Sequence, residues 1–286
     1  MPRFSAQQGR GMTIAVLAAA VIAAAATLRV VTIPSRVMQG RTWKATVLLP
    51  ASYDSSQCRY PVIYFLHGYS QNYATWPKVA PLEELCDSLQ CIFVCPDGDD
   101  NSWYIDSPKK TSSRFDTYIA FEVPAFIDSV FRTHATAQGR ALMGSSMGGH
   151  GALSIMLRHP DRFIAAASIS GILDLTHFPA QWDIADVLGQ YKTNKERWKS
   201  YSVCGLLDSL GAGGRKIIID CGQSDPALAG NRAAHWKLAA AGIEHEYRES
   251  RGGHTAQYVR SVAPMHIRSL AALLPPAGCE AGQPDN

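Results

Sequence analysis

Residues 144–148 read Gly144-Ser145-Ser146-Met147-Gly148, a G-x-S-x-G pentapeptide lying between two segments of different character. Before it, Arg140-Ala141-Leu142-Met143 has the apolar make-up of a strand. After it, residues 149–158 can run as a helix as far as His159-Pro160. Strand, sharp turn and helix in that order form an elbow that holds a serine in a strained turn with its hydroxyl exposed. Ser146 is therefore the candidate nucleophile. Glycines at 144 and 148 fit places where a side chain would collide with the neighbouring strand or helix.

A serine hydroxyl is a weak nucleophile until a general base takes its proton, and that base must itself be oriented by a carboxylate. In elbows of this kind the acid and then the histidine follow the serine in the chain. Downstream, the apolar run Lys216-Ile217-Ile218-Ile219 ends at Asp220-Cys221-Gly222, with Asp225 just beyond it. Later, the strand-like run Glu244-His245-Glu246-Tyr247-Arg248 leads into Arg251-Gly252-Gly253-His254. Asp225 and His254 thus fall in loops at the carboxyl ends of strands, where α/β sheets place their chemistry. Asp174, after Ser170-Gly171-Ile172-Leu173, is the strongest rival acid. Asp220 lies within a strand run and reads as a structural partner. His235, His245 and His266 fall inside helix or strand patterns, where a satisfied structural histidine is the plainer reading.

The remaining requirement is a pair of backbone N–H groups to stabilise an oxyanion. One should be the amide of Met147, directly after the nucleophile. The other should follow an early strand. Residues 61–66, Pro-Val-Ile-Tyr-Phe-Leu, form a continuous apolar run suited to a buried parallel strand. It enters His67-Gly68-Tyr69-Ser70, a turn that can present the Tyr69 amide, although a plain strand-ending glycine turn reads the same way.

The elements that must carry these groups are those of one large α/β unit. The chain has 286 residues, 47% hydrophobic and 18% charged, enough to bury a sizeable core. Its net charge is only +3, with no basic run interleaved with aromatics, which argues against nucleic-acid binding. Helix-like segments alternate with apolar strands, so a mostly parallel central sheet with helices on both faces is expected. Residues 29–33 and 41–49 alternate instead like antiparallel strands, joined by a turn near Gln39-Gly40.

Several blocks together resemble the esterase D branch of the α/β-hydrolases. They are YPVIYFLHGYSQNYATW (60–76), PDGDDNSWYIDSP (96–108), ALMGSSMGGHGAL (141–153), HPDRFIAAASISG (159–171), IIIDCGQSD (217–225) and GGH (252–254). That branch includes tributyrin-type, feruloyl and acetylxylan esterases, S-formylglutathione hydrolases and mycobacterial mycolyltransferases. The resemblance implies an α/β-hydrolase fold and a Ser146–Asp225–His254 triad, with the Tyr69 and Met147 amides forming the oxyanion hole. No metal and no organic cofactor are expected. Relatives often carry an aromatic pair after the histidine, whereas Thr255-Ala256-Gln257-Tyr258 keeps one, so the pocket wall there is expected to differ.

Residues 1–28 read as a targeting segment. Arg3 and Arg10 precede an Ala-rich apolar stretch, and Ala24-Ala25-Ala26 supplies a small-residue cleavage pattern. An uncleaved anchor is the competing reading, against which the stretch is shorter than the ~20 residues that a spanning helix prefers. The catalytic domain is then 29–274, and the Pro/Gly-rich residues 275–286 should be a disordered tail. A secreted or periplasmic bacterial protein follows, with no stable membrane association after cleavage. Such an environment permits disulfides among the seven cysteines, and Cys86 with Cys91, bracketing a short turn, is the pair to examine first. Cys95 and Cys221 read as small buried hydrophobes.

Two segments should shape the pocket. Trp103, in a loop after a strand ending at Pro96-Asp97-Gly98, is the leading pocket residue, with a core tryptophan as its competitor. Residues 172–210, with scattered Trp182, Tyr191, Trp198 and Tyr201, either cover the site or form a surface insertion. The reading is an exported serine carboxylesterase acting on a small-molecule or carbohydrate ester with a short acyl group, acetyl and feruloyl esters included. The alternatives are an acyltransferase using the same triad and a non-catalytic binding protein on the same scaffold.

Overall fold

The computed structural model describes residues 25–209 and 215–279. Among the described residues eight strands form one sheet: β1 (Thr27–Pro34), β2 (Thr42–Leu49), β3 (Val62–Leu66), β4 (Ile92–Pro96), β5 (Arg140–Ser145), β6 (Ala165–Ile169), β7 (Lys216–Gly222) and β8 (His245–Ser250). Their spatial order is β1-β2-β4-β3-β5-β6-β7-β8. The β1–β2 and β2–β4 pairs are antiparallel, and every pair from β4 to β8 is parallel. This is the α/β-hydrolase architecture, a mostly parallel sheet with an antiparallel amino-terminal part.

The central strands are apolar at nearly every position because both faces of the sheet are covered. Side chains alternate between two cores with the strand period of two. Val62, Tyr64 and Leu66 of β3 enter one core, and Ile63 and Phe65 enter the other. In β7, Ile217, Ile219 and Cys221 share the first core while Ile218 enters the second. The helices Met147–Arg158 and Leu228–Ala240 supply residues to the first core; Leu82–Leu89 and the C-terminal helix Ala256–Leu273 cover the second. The carboxyl ends of β3, β5, β7 and β8 consequently open toward one edge, where their loops can meet.

The antiparallel hairpin turns through Gln39 and Gly40, both at positive φ. β1 starts at Thr27, so Thr27 and Leu28, expected to close the targeting segment, pair with Leu49 and Leu48. Residues 1–24 of that segment lie outside the described residues. Among the described residues no helix is long and apolar enough to cross a membrane.

The cysteines depart from expectation. Cys86 and Cys91 are both free and buried. The Cys86 thiol donates instead to the Cys91 carbonyl at 3.1 Å. The disulfide joins Cys58 to Cys279, 221 residues apart in the chain. The tail expected to be disordered from 275 is therefore held as far as Cys279, and Gly278 pairs with Arg59 through two backbone hydrogen bonds of 2.8 and 3.0 Å. Residues 280–286 lie outside the described residues.

Linking distant residues removes chain entropy from the unfolded state, typically worth about 2–4 kcal/mol. Cys58→Ser should lower the melting temperature, and reductant should bring the wild type down to the variant while leaving the variant unchanged. Wild-type melting that is indifferent to reductant would mean the bond does not form.

Candidate active site

β5 ends in a turn that the backbone tolerates only at a steric cost. Ser146 sits at φ 57°, ψ −119°, a region that side-chain-bearing residues rarely adopt. Its N–H donates to the Ile169 carbonyl at 3.0 Å, and its own carbonyl accepts the His150 N–H at 3.1 Å. A Cβ at Gly144 would collide with the Gly148 carbonyl, and one at Gly148 would collide with the Leu66 carbonyl. The two glycines let the helix Met147–Arg158 begin directly against the ends of β3 and β5.

Three loops deliver the polar groups. His254, after β8, lies with Nε2 2.8 Å from Ser146 Oγ. Its Nδ1 lies 3.0 Å from each oxygen of Asp225, in the loop after β7. Those two loops are tied by the Gln223 N–H donating to Ser250 O (2.9 Å) and the Ser224 N–H donating to Gly252 O (2.8 Å). The Asp225 side chain is fully buried, while that of His254 keeps 27% exposure. Burial pushes the Asp225 carboxyl up, but the His254 hydrogen bond and charge and the Ala227 amide outweigh it and hold it below the usual carboxylate range. An ionised Asp225 places the imidazole proton on Nδ1 and leaves Nε2 free to accept the Ser146 proton.

The third loop follows β3. His67 is fully buried, and the Gly98 N–H donates to its Nε2 at 2.8 Å. Its proton is therefore on Nδ1, which donates to the Gly68 carbonyl at 2.9 Å. The Gly68 N–H donates to Gln71 Oε1 at 2.8 Å. Among the described residues, neither the Tyr69 nor the Met147 N–H donates to a protein acceptor. The only sequence signal for His67 is that a histidine ending a wholly apolar strand must be hydrogen-bonded to be buried there.

A family model named Esterase matches residues 35–268. An esterase of Mycobacterium tuberculosis is 31% identical over 237 residues, covering 73% of this chain and 51% of its own. This chain belongs to the esterase family. It spans about half the length of that relative. An acetyl esterase of Caldicellulosiruptor saccharolyticus is 29% identical over 210 residues, 67% of this chain and 76% of its own. A solved ferulic acid esterase superposes with a TM-score of 0.74 at 24% identity, covering 87% of this chain and 99% of its own, which supports the fold.

A cavity of about 200 Å³ opens beside Ser146 and His254, with Tyr69, Trp76, Val79, Trp182 and Val259 among its walls. Trp103, expected as a pocket residue, is instead fully buried beneath it. Left-handed backbone at Trp103 and Tyr104 (φ 55° and 54°) turns the indole inward, edge-on to His150 at 5.9 Å. Its Nε1 donates to the Trp182 carbonyl at 3.1 Å, so Trp103 supports the tryptophan that does reach the cavity. Trp182 stacks on His254, ring centroids 6.1 Å apart at 22°. The segment after residue 172 thus contributes a wall, while its Trp198 is buried in the core.

The rival residues have other work. Asp174 accepts from the Thr176 N–H (3.0 Å) and hydroxyl (2.6 Å) at the start of a short 3-10 turn. Asp220 accepts from the Tyr258 hydroxyl and, at 2.7 Å, from His266 Nε2. His235 Nδ1 lies 2.7 Å from His245 Nε2, remote from these loops. Tyr258, the single aromatic after His254, points into the core, and Thr255, Ala256 and Val259 form that side of the cavity.

Asp225→Asn should cost roughly 10³–10⁴-fold in kcat on an activated ester by upsetting the tautomer of His254. Asp174→Asn should retain most turnover. Steady-state kinetics of the two variants with the reverse ranking would transfer the acid's role to Asp174.

Proposed function

We propose that this chain is an exported serine carboxylesterase that hydrolyses small esters carrying short acyl groups through a Ser146–His254–Asp225 triad. The observation that carries the reading is the unbroken hydrogen-bonded line from Ser146 Oγ through both imidazole nitrogens to a buried carboxylate. Ser146 Oγ attacks the ester carbonyl carbon as its proton passes to His254 Nε2. The carbonyl oxygen, now carrying the charge, accepts hydrogen bonds from the Tyr69 and Met147 amides. Collapse of this intermediate expels the alcohol, which takes the proton from His254, and leaves an acyl-serine. Water then repeats the sequence, activated by His254, and releases the acid. Asp225 stays ionised throughout and stabilises the imidazolium formed in each half.

Short acyl groups fit the cavity walls. Trp76 is 2% exposed and its Nε1 donates to the Leu66 carbonyl at 2.9 Å, so that wall is held in place. Val79 and Val259 face the same space. A methylene adds roughly 0.8 kcal/mol of binding where there is room, and forcing one into a packed wall costs about 1–3 kcal/mol. The Cys58–Cys279 disulfide favours an oxidising compartment. It is the support for export that lies within the described residues.

Ser146→Ala should lower kcat by ~10⁴-fold or more with the fold retained, and Ser145→Ala much less. On p-nitrophenyl esters, kcat/KM should peak at acyl chains of about two to four carbons and fall beyond butyrate. Rising values toward long chains, with activation at an oil–water interface, would make the protein a lipase instead.

A further inference from the structure

The connection between β6 and β7 turns sharply at Trp182 and Asp183, two successive residues at φ 51° and 53°. Neither is glycine, and consecutive left-handed residues with side chains persist only where their surroundings hold them. The restraints here are specific. The Trp182 carbonyl accepts the Trp103 indole N–H at 3.1 Å, and the Asp183 carbonyl accepts the Asp186 N–H at 2.8 Å. The Trp182 ring packs between Phe178, 4.8 Å away, and His254. Asp183 Oδ2 accepts the Tyr69 hydroxyl at 2.7 Å.

That last bond ties one residue of the cavity wall, Tyr69, to the neighbour of another, Trp182. Tyr69 is the residue whose main-chain N–H is assigned to the oxyanion, and its side chain reaches across to a carboxylate 114 positions away in the chain. On the other side of the same corner, Trp182 lies against the general base. One strained dipeptide therefore touches both halves of the machinery. Backbone support for the loop at 68–70 comes from the Gly68 N–H to Gln71 and the Ser70 N–H to the Asp100 carbonyl (2.8 Å). The phenol supplies the tie to the corner at Trp182 and Asp183. The hydrogen bond to Asp183, with a smaller contribution from burial, raises the Tyr69 phenol above its ordinary value, which keeps the proton on the donor.

We propose that Asp183 is a positioning residue of the ester site: by accepting the Tyr69 hydroxyl it fixes the loop that carries the Tyr69 amide, and it keeps Trp182 packed on His254. The proposal rests on the esterase reading and on Tyr69 as an oxyanion donor. Loss of the bond leaves the donor present but less well aligned, so the cost should be a fraction of the roughly 10²–10³-fold that follows removal of such a donor.

The test is a double-mutant cycle on p-nitrophenyl acetate hydrolysis, with melting temperatures measured for every variant. Tyr69→Phe removes the hydroxyl and leaves the strained corner untouched. Asp183→Gly removes the acceptor at a φ that glycine adopts freely. Each should lower kcat about 10-fold with KM little changed, and the double variant should be no slower than the slower single, because both break one bond. Asp183→Asn keeps an acceptor and a residue tolerant of this φ, and should recover most of the wild-type kcat. Wild-type kcat in Tyr69→Phe, or losses that multiply in the double variant, would overturn the proposal. Ser146→Ala is assayed in parallel. If it keeps its turnover, the esterase reading falls and the positioning role with it. If it is inactive while Tyr69→Phe is unchanged, only the positioning role falls.

Discussion

Everything in this site hangs on how closely the helix Met147–Arg158 approaches the ends of β3 and β5. At Gly148 the approach leaves no room for a Cβ against the Leu66 carbonyl, and at Gly144 none against the start of the helix. Ser146 is caught in that approach at φ 57°. Residues forced into such regions cost of order 1–3 kcal/mol and persist only where the surroundings over-determine them. Here the Ile169 carbonyl, the His150 amide and the closed-packed glycines do so. The same approach brings Gly68, and with it the loop carrying Tyr69, close enough to Ser146 that a Cβ added at Gly68 would lie 3.5 Å from the Ser146 Cβ. Ser146 and the loop carrying Tyr69 are thus positioned by one contact between a helix and a strand end.

Two aspartates on one stretch of chain illustrate how burial and direction divide roles. Asp220 is two residues beyond Ile218 and shares its face of β7, so it points toward the C-terminal helix, where Tyr258 and His266 satisfy it. Its neighbours join the last helix to the sheet, and through that helix the loop bearing His254. Asp225 lies past the strand end, where direction is set by the turn. The Asp225 N–H donates to the Gly222 carbonyl at 3.0 Å and its carboxylate accepts the Ala227 N–H at 2.8 Å, which aims the side chain at His254. One carboxylate braces the frame, and the other is left to orient an imidazole.

The aromatic residues around the cavity form a supporting chain. His150, on the elbow helix, lies 3.2 Å from the Trp103 carbonyl and 2.9 Å from the Tyr201 carbonyl. Burial pushes its imidazole down to about 4, so it is neutral at physiological pH and donates to one carbonyl at a time. Trp103 in turn holds Trp182, and Trp182 lies on His254. The wall of the pocket is therefore built from the core outward, with only its last member reaching the cavity.

What the amino-acid sequence determined by itself was whatever depends on neighbours along the chain. Continuous apolar runs marked the strands buried on both faces, and their alternation with helical segments marked the parallel sheet. Glycines at fixed spacing around Ser146 marked the turn, since steric exclusion at an elbow acts within a few residues. Asp225 and His254 stood out because strand-ending loops are local features too. Only the tertiary structure decided what depends on the direction of a side chain or on residues far apart. Trp103 turned inward because two left-handed residues reversed its loop, a conformation that its residue types do not announce. Trp182 and Asp183 reached the site because the path from β6 to β7 crosses above it. Cys58 found Cys279 because the tail returns to Arg59, although Cys86 and Cys91 were nearer in sequence. Proximity in the chain constrains backbone conformation, whereas contact across the fold follows from how the sheet and its loops close on one another, and that is not written in any short stretch of residues.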